Sequence, residues 1–269
     1  MTRCILALSM LTAGCAHADR PQPATAPIAH TRPVLIVLSA ATTQTLADGT
    51  TRHTGFFLNE FFEVKQGLDE AGVPYVLATV DGVRPSLDPE SRDEKYWEEA
   101  PALRAEAIAW FERDPEVSTP MALADAARDP SAFSGIVVPG GQGVMTDLLD
   151  EPDLHELLLA LGEAERPVGL VCHAPAVLSR LPAERSPFGG RRVTSVSGVE
   201  EVYIERVVMG AKATDRKIGR QLRRAGLRHR AAWPGSSNAV RDGNLVTSQN
   251  PFSGHEFVTL YLSALREAP

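Results

Sequence analysis

The sequence predicts an α/β domain built on a doubly wound, mostly parallel sheet with helices on both faces. Three observations carry this expectation. Residues 33–40, "PVLIVLSA", are an unbroken aliphatic run of the kind that forms a strand buried on both faces. Comparable runs recur at "SGIVVPGG" and "RPVGLVC", each separated from the next by helix-period segments and short turns. The run "SGIVVPGG" ends in a Gly-Gly turn. In such sheets, ligands gather where loops leave the carboxyl ends of the strands.

The elements follow in order. After the first strand, "ATTQTLADGTTRHTG" reads as a loop, and residues 56–71 carry helical periodicity with Thr54 as the candidate cap. "PYVLATV" is a second strand. Residues 81–133 interrupt the rhythm with "DGVRPSLDPESRD" and two short helices near 102–112 and 121–128, and they read as a small cap or insertion. "SGIVVPGG" resumes the strands, and "MTDLLDEPDLHELLLALGEAE" is helical. "RPVGLVC" is a strand that enters the helix "HAPAVLSRL" with no spacer. "RRVTSVS" is strand-like, residues 200–224 hold two helical stretches broken near Gly210, and "NAVRDGNLVTSQ" is a hairpin with an Asp-Gly turn. A helix from "PFSGHEF" onward closes the chain.

Composition narrows the function. The chain has 269 residues, 43% of them hydrophobic and 23% charged, with a formal net charge of −7. That balance argues against nucleic acid as a partner, which calls for a basic face. The one basic run, "TDRKIGRQLRRAGLRHR", reads as an amphipathic helix with a solvated side. The N-terminus differs from the body. Arg3, an apolar stretch and small residues ending at Cys15 outline a secretory signal over residues 1–15, too short to span a membrane. "TAGC" is similar to the bacterial lipoprotein processing box, although Thr12 stands where that box prefers Leu, Val or Ile. Residues 16–32, rich in Pro and Ala, suit a flexible tether, which leaves residues 33–269 as the folded body. The expectation is an exported envelope protein, lipid-anchored through Cys15.

Of three cysteines, Cys4 and Cys15 lie in that leader, so Cys172 is the single thiol of the body. It sits where a strand passes into a helix, a tight turn that lifts a nucleophile out of a sheet. The positive end of the following helix is expected to lower its pKa. His173 follows at once, and its N–H, with those of Gly140 and Gly141, is a candidate oxyanion donor. Glu60, inside "FFLNEFF", is flanked by four phenylalanines, a setting that raises a carboxyl's pKa. His255 and Glu256 in "GHEF" begin a helix in the wrong register for catalysis. No histidines fall at metal-binding spacing, and no Lys-Ser/Thr follows "VPGGQG", so neither metal nor cofactor is expected.

Taken together, "TGFFLNEFF", "SLDPES", "GIVVPGGQGVMTDL", "VCHAPA" and "DGNLVTSQNPFS" resemble the ThiJ/PfpI family of the class I glutamine amidotransferase-like superfamily. The branch they resemble most is that of the glutathione-independent glyoxalases (glyoxalase III) and stress chaperones. The resemblance spans residues 33–265. It implies a flavodoxin-like fold, a cysteine nucleophile at Cys172 with His173 beside it, and Glu60 pointing at the sulfur. It also implies an acidic third triad member at Glu201, with Glu200 one step away competing for the role. Two departures stand out: Gln142 where the branch reads "PGGHG", and Ala174 where it reads "CHGP". The implied activity is cofactor-free conversion of methylglyoxal to lactate, with a small aldehyde as partner and a homodimer as assembly. The alternatives are a holdase whose 81–133 segment presents apolar surface, and a cysteine-dependent peptidase or amidase.

Overall fold

The computed structural model describes residues 32–98 and 101–269. The expected signal at 1–15, its Cys15, and the tether up to residue 31 therefore lie outside the described residues. Strand β1 (Val34–Val37) is buried at every position, as its aliphatic run predicts. The segment read as a loop instead forms a small antiparallel hairpin of β2 (Thr43–Thr45) and β3 (Thr51–His53). Helix α1 (Leu58–Glu70) starts two residues later than its periodicity suggests, capped by the extended backbone of Phe57. Thr54 is not its cap: the buried Thr54 hydroxyl meets no partner. Strand β4 (Tyr75–Thr79) follows.

The 81–133 segment is more closely woven into the body than a cap. It contributes helices α2 (Pro101–Arg113), α3 (Pro115–Ser118) and α4 (Leu123–Arg128), and also strand β5 (Met121–Ala122), which extends the main sheet beside β4. Trp97, Phe111, Val117 and Leu123 from this stretch belong to the same hydrophobic core as β1. Phe111 meets the ring of Phe56 edge-on, with centroids 5.6 Å apart.

Strand β6 (Gly135–Val138) resumes the sheet, followed by a π-turn at Val144–Leu148, helix α5 (Pro152–Glu163) and strand β7 (Val168–Val171). The remaining elements are β8 (Arg192–Val193), α6 (Gly198–Tyr203), α7 (Ile218–Arg224), β9 (Arg228–His229), β10 (Ala239–Asp242), β11 (Leu245–Ser248) and α8 (Gly254–Glu267). The break between α6 and α7 falls at Gly210, with φ 74°. The Asp-Gly hairpin of β10 and β11 forms as its sequence predicts.

The main sheet has seven strands in the order β10-β11-β7-β6-β1-β4-β5, parallel except for the β10–β11 pair. The helices pack in groups, α1 against α8 and α4 against α5. From β1 the chain winds outward through β4 to β5, then returns to place β6 and β7 on the other side. The order therefore reverses between β1 and β6, and the loops leaving their carboxyl ends open a crevice. The Gly140–Gly141 loop after β6 and Cys172 after β7 both lie at that end.

Because Phe111 is a core residue, Phe111→Ala should cost about 3 kcal/mol of unfolding free energy, measured by urea denaturation. A loss well under 1 kcal/mol would mean the segment packs as a detachable cap after all.

Candidate active site

Cys172 occupies the left-handed region, with φ 57°. A residue with a Cβ holds that conformation only when its surroundings force it. Here its N–H donates to Ser248 O at 2.9 Å, and its carbonyl accepts from Val196 N at 3.0 Å. The backbone is pinned from both sides, and the side chain projects into a cavity of about 540 Å³. The helix beyond it is shorter than expected, a six-residue 3-10 turn from Ala174 to Ser179. Ala174, a departure from the glycine of the resembled branch, does not adopt a positive φ, so its Cβ adds no left-handed strain.

Glu60 is brought to the sulfur by a chain of backbone contacts. Phe57 N–H donates to Gly140 O at 2.9 Å, which fixes the start of α1 against the β6 loop. One turn on, Glu60 Oε2 accepts from Gly140 N at 2.9 Å. Only glycine fits here. A Cβ on Gly140 would lie 2.6 Å from Glu60 Oε2 and 2.7 Å from Cys172 Cβ. The second oxygen, Oε1, has no hydrogen-bond partner among the described residues, and the Glu60 carboxyl and the Cys172 thiol act on each other. Burial pushes Glu60 up to about 8, opposed by the thiol and the Gly140 N–H. Burial, reinforced by Glu60 itself, also pushes Cys172 up. This corrects the expected thiolate: the dipole of so short a turn does not offset desolvation beside a carboxyl.

His173 Nδ1 lies 3.2 Å from Cys172 Sγ. Its other nitrogen, Nε2, lies 2.9 Å from Gln142 Nε2, and Gln142 Oε1 in turn accepts from Gln44 Nε2 at 3.1 Å. In this orientation the Gln142 amide donates, His173 Nε2 accepts, and the ring proton sits on Nδ1 facing sulfur. Burial lowers the imidazole to about 4, so it is neutral at physiological pH. All three side chains of this relay are buried.

The acidic third member is therefore corrected. Glu201 does not orient His173. Its Oε1 accepts from the N–H groups of Lys217 at 2.7 Å and Ile218 at 3.3 Å, satisfying free amides at the start of α7. Glu200 is the carboxylate that lines the cavity, and its charge acts on both His173 and Cys172. Yet it is held by other donors: Ser197 N, Gly235 N, Gln249 Nε2 and Asn250 Nδ2, all within 3.0 Å. The partner of His173 is Gln142, which the sequence flagged only as a departure. The oxyanion assignment narrows as well. Gly140 N–H is committed to Glu60, while Gly141, at φ 107°, lines the cavity. The N–H of His173 is directed at the Cys172 sulfur. His255 and Glu256 open α8, where the Glu256 carboxylate accepts from Ser237 Oγ at 2.8 Å, away from the cavity.

A model of the DJ-1/PfpI family matches residues 58–264. The protein/nucleic acid deglycase HchA of Pseudomonas aeruginosa is 28% identical over 124 residues, which are 45% of this chain and 40% of that protein. The aligned stretch thus spans well under half of the curated relative. A crystal structure at 28% identity superposes with a TM-score of 0.74, covering 89% of this chain and 100% of its own. Glyoxalase III from Candida albicans, at 21% identity, shares the fold, with a TM-score of 0.73 over 87% of this chain and 97% of that one.

The Glu60–Cys172 pair makes a signed prediction. The folded carboxyl keeps until about pH 8 a proton that an unfolded one, near 4.5, gives up. Its contribution to stability is therefore complete below pH 4.5 and is lost as pH rises towards 8. Glu60→Gln removes that dependence. Relative to wild type, the variant should gain on the order of 2 kcal/mol between pH 5 and pH 8 in urea denaturation. The same substitution should move the onset of Cys172 alkylation by iodoacetamide to lower pH, since Glu60 helps to hold the thiol protonated. A pH-independent stability difference and an unmoved onset would refute the coupling.

Proposed function

The chain belongs to the DJ-1/PfpI family, and we propose that it is a cofactor-free, cysteine-dependent enzyme acting on small reactive carbonyls. The reading is a glyoxalase III-like conversion of a 2-oxoaldehyde to a 2-hydroxy acid, methylglyoxal to lactate being the simplest case. The observation that supports it most is a buried thiol and imidazole that line an open cavity side by side, with the buried Glu60 carboxyl coupled to that thiol. The deglycase and glyoxalase names of two similar proteins agree with it.

In the pair that has lost one proton, Glu60 carboxylate takes the thiol proton as sulfur adds to the aldehyde carbon C1. His173 Nδ1–H donates to the sulfur, steadying the charge before the bond forms. Glu60 then returns the proton to the new alkoxide, giving a hemithioacetal. The same carboxylate removes the hydrogen of C1, giving an enediolate in which the hydroxyl proton passes from the C1 oxygen to the C2 oxygen, and then delivers the hydrogen it took to carbon C2. The carbon bound to sulfur becomes a thioester carbonyl. Water hydrolyses it, releasing the hydroxy acid and restoring the thiol. One water is consumed and no external oxidant or reductant is needed. Gly141, which lines the cavity and whose neighbour Gly140 has its N–H committed to Glu60, is the proposed source of the oxyanion donor.

The holdase alternative needed apolar surface on 81–133. Among the described residues there, Val83 is the one large hydrophobic that is exposed. From the N-terminal pattern and the family resemblance alone, we further propose export with a lipid anchor at Cys15 and assembly as a homodimer.

Purified protein given methylglyoxal without glutathione should form lactate, and Cys172→Ala should lower the rate at least about hundredfold. The profile of kcat/KM should climb with pH towards about 8, because the active pair must first lose one proton and Glu60 titrates there. Lactate formation equal in wild type and Cys172→Ala would end this reading. Cys15→Ser should move the protein from the membrane to the soluble fraction of its native host, and an unchanged distribution would remove the anchor.

A further inference from the structure

The cavity above Cys172 is far larger than methylglyoxal requires. At about 540 Å³ it is in the range that encloses drug-sized ligands, whereas a five-heavy-atom dicarbonyl displaces only about three waters. One wall is aromatic and continuous. Phe57 meets Tyr96 edge-on at 4.9 Å, and Tyr96 meets Phe252 at 5.8 Å with planes 34° apart. Asn59 fixes that wall from behind, donating to Tyr96 O at 3.2 Å and Pro251 O at 3.0 Å. The wall is therefore a held surface, with Tyr203 and Val199 facing the cavity at its exposed mouth.

The charges lining the cavity are already spoken for. Arg52 is engaged by both oxygens of Asp88, at 3.1 and 3.3 Å. Lys95 is paired with Glu90, which also accepts from Tyr96 Oη at 2.9 Å. Two further acids, Glu98 and Glu200, face the space with no cation matched to either among the described residues. Among the described lining residues there are thus two cations and four anions, and neither cation is free to receive a carboxylate.

We propose that this cavity selects uncharged 2-oxoaldehydes carrying an aromatic or bulky apolar substituent, seated on the Phe57–Tyr96–Phe252 wall, and rejects substrates that bear a carboxylate. The inference rests on the 2-oxoaldehyde reading above and adds the substrate class. It also gives release a cause. Turnover converts an uncharged substrate into a carboxylate anion inside a cavity of net negative lining, which expels it.

Initial rates with phenylglyoxal, methylglyoxal and 4-carboxyphenylglyoxal test the order. Phenylglyoxal should exceed methylglyoxal in kcat/KM by about tenfold or more, and 4-carboxyphenylglyoxal should fall at least about a hundredfold below phenylglyoxal. Phe252→Ala, which truncates a half-exposed ring, should shrink the phenylglyoxal-to-methylglyoxal ratio at least about threefold. Binding to the Cys172→Ser protein, followed by calorimetry or ligand-observed NMR, reads the same preference without turnover. Mandelamide should bind at least about tenfold more tightly than lactamide, and mandelate more weakly than mandelamide. If none of the three carbonyls is turned over but mandelamide binds selectively, the chemistry is wrong and the apolar site stands. If methylglyoxal or 4-carboxyphenylglyoxal matches phenylglyoxal, or mandelate binds as well as mandelamide, the selectivity is refuted whatever the chemistry.

Discussion

The hydrogen bond from Gly140 N–H to Glu60 Oε2 is the constraint on which the site depends. It spends a backbone amide at the carboxyl end of β6 on holding a buried carboxyl beside a buried thiol. Neither group would be placed there for stability, since each is desolvated and each makes the other harder to ionise. The arrangement persists because the backbone around it is over-determined. Phe57 is tied to Gly140, and Cys172 is tied to both Ser248 and Val196. The left-handed cysteine is the visible strain, and the sheet beneath it, buried through β1, β6, β7 and β11, is what absorbs it.

Much of this was legible in the residues. Continuous aliphatic runs become central strands for one physical reason: a strand covered on both faces has no solvent side to mark with polar residues. The Asp-Gly pair dictated its hairpin for an equally local reason, with Gly243 at φ 65°. Cys172 at a strand end and Glu60 among phenylalanines were also readable, because the signal lies in immediate neighbours. The 81–133 segment was legible as an insertion, but its depth of packing was not, for the opposite reason. Its strand β5 is two residues long, and its core contacts, such as Phe111 on Phe56, join positions far apart in the chain. No local pattern encodes that pairing.

The confusion of Glu200 with Glu201 has a geometric origin. Successive residues on a helix point about 100° apart, so one step decides which carboxylate sees the cavity and which caps α7. Sequence alone gives both the same neighbours. The capping box that Ser197 forms with Glu200 settles the turn, and Glu201 is then left facing the amides of Lys217 and Ile218. The thiol's pKa was misjudged through a related omission. A helix start was visible in the sequence, but its shortness and the completeness of burial were not.

Gln142 is the departure that makes sense of the rest. A carboxylate bonded to His173 Nε2 would favour the imidazolium, and the resting site would become an ion triplet sealed from water. An amide leaves the ring neutral, near 4, and fixes its orientation through Gln44 instead. With His173 neutral, the proton shared between Glu60 and Cys172 is the one that the proposed chemistry would move, and their coupling would set when the sulfur could attack. The matched cations above them follow the same logic. Arg52 is matched by Asp88 and Lys95 by Glu90, so no stray cation stands ready to stabilise a thiolate before substrate arrives. On the carbonyl-enzyme reading proposed above, charge is kept off the sulfur until a carbonyl is present to take it, and a lone thiol held that way is protected from other reactions.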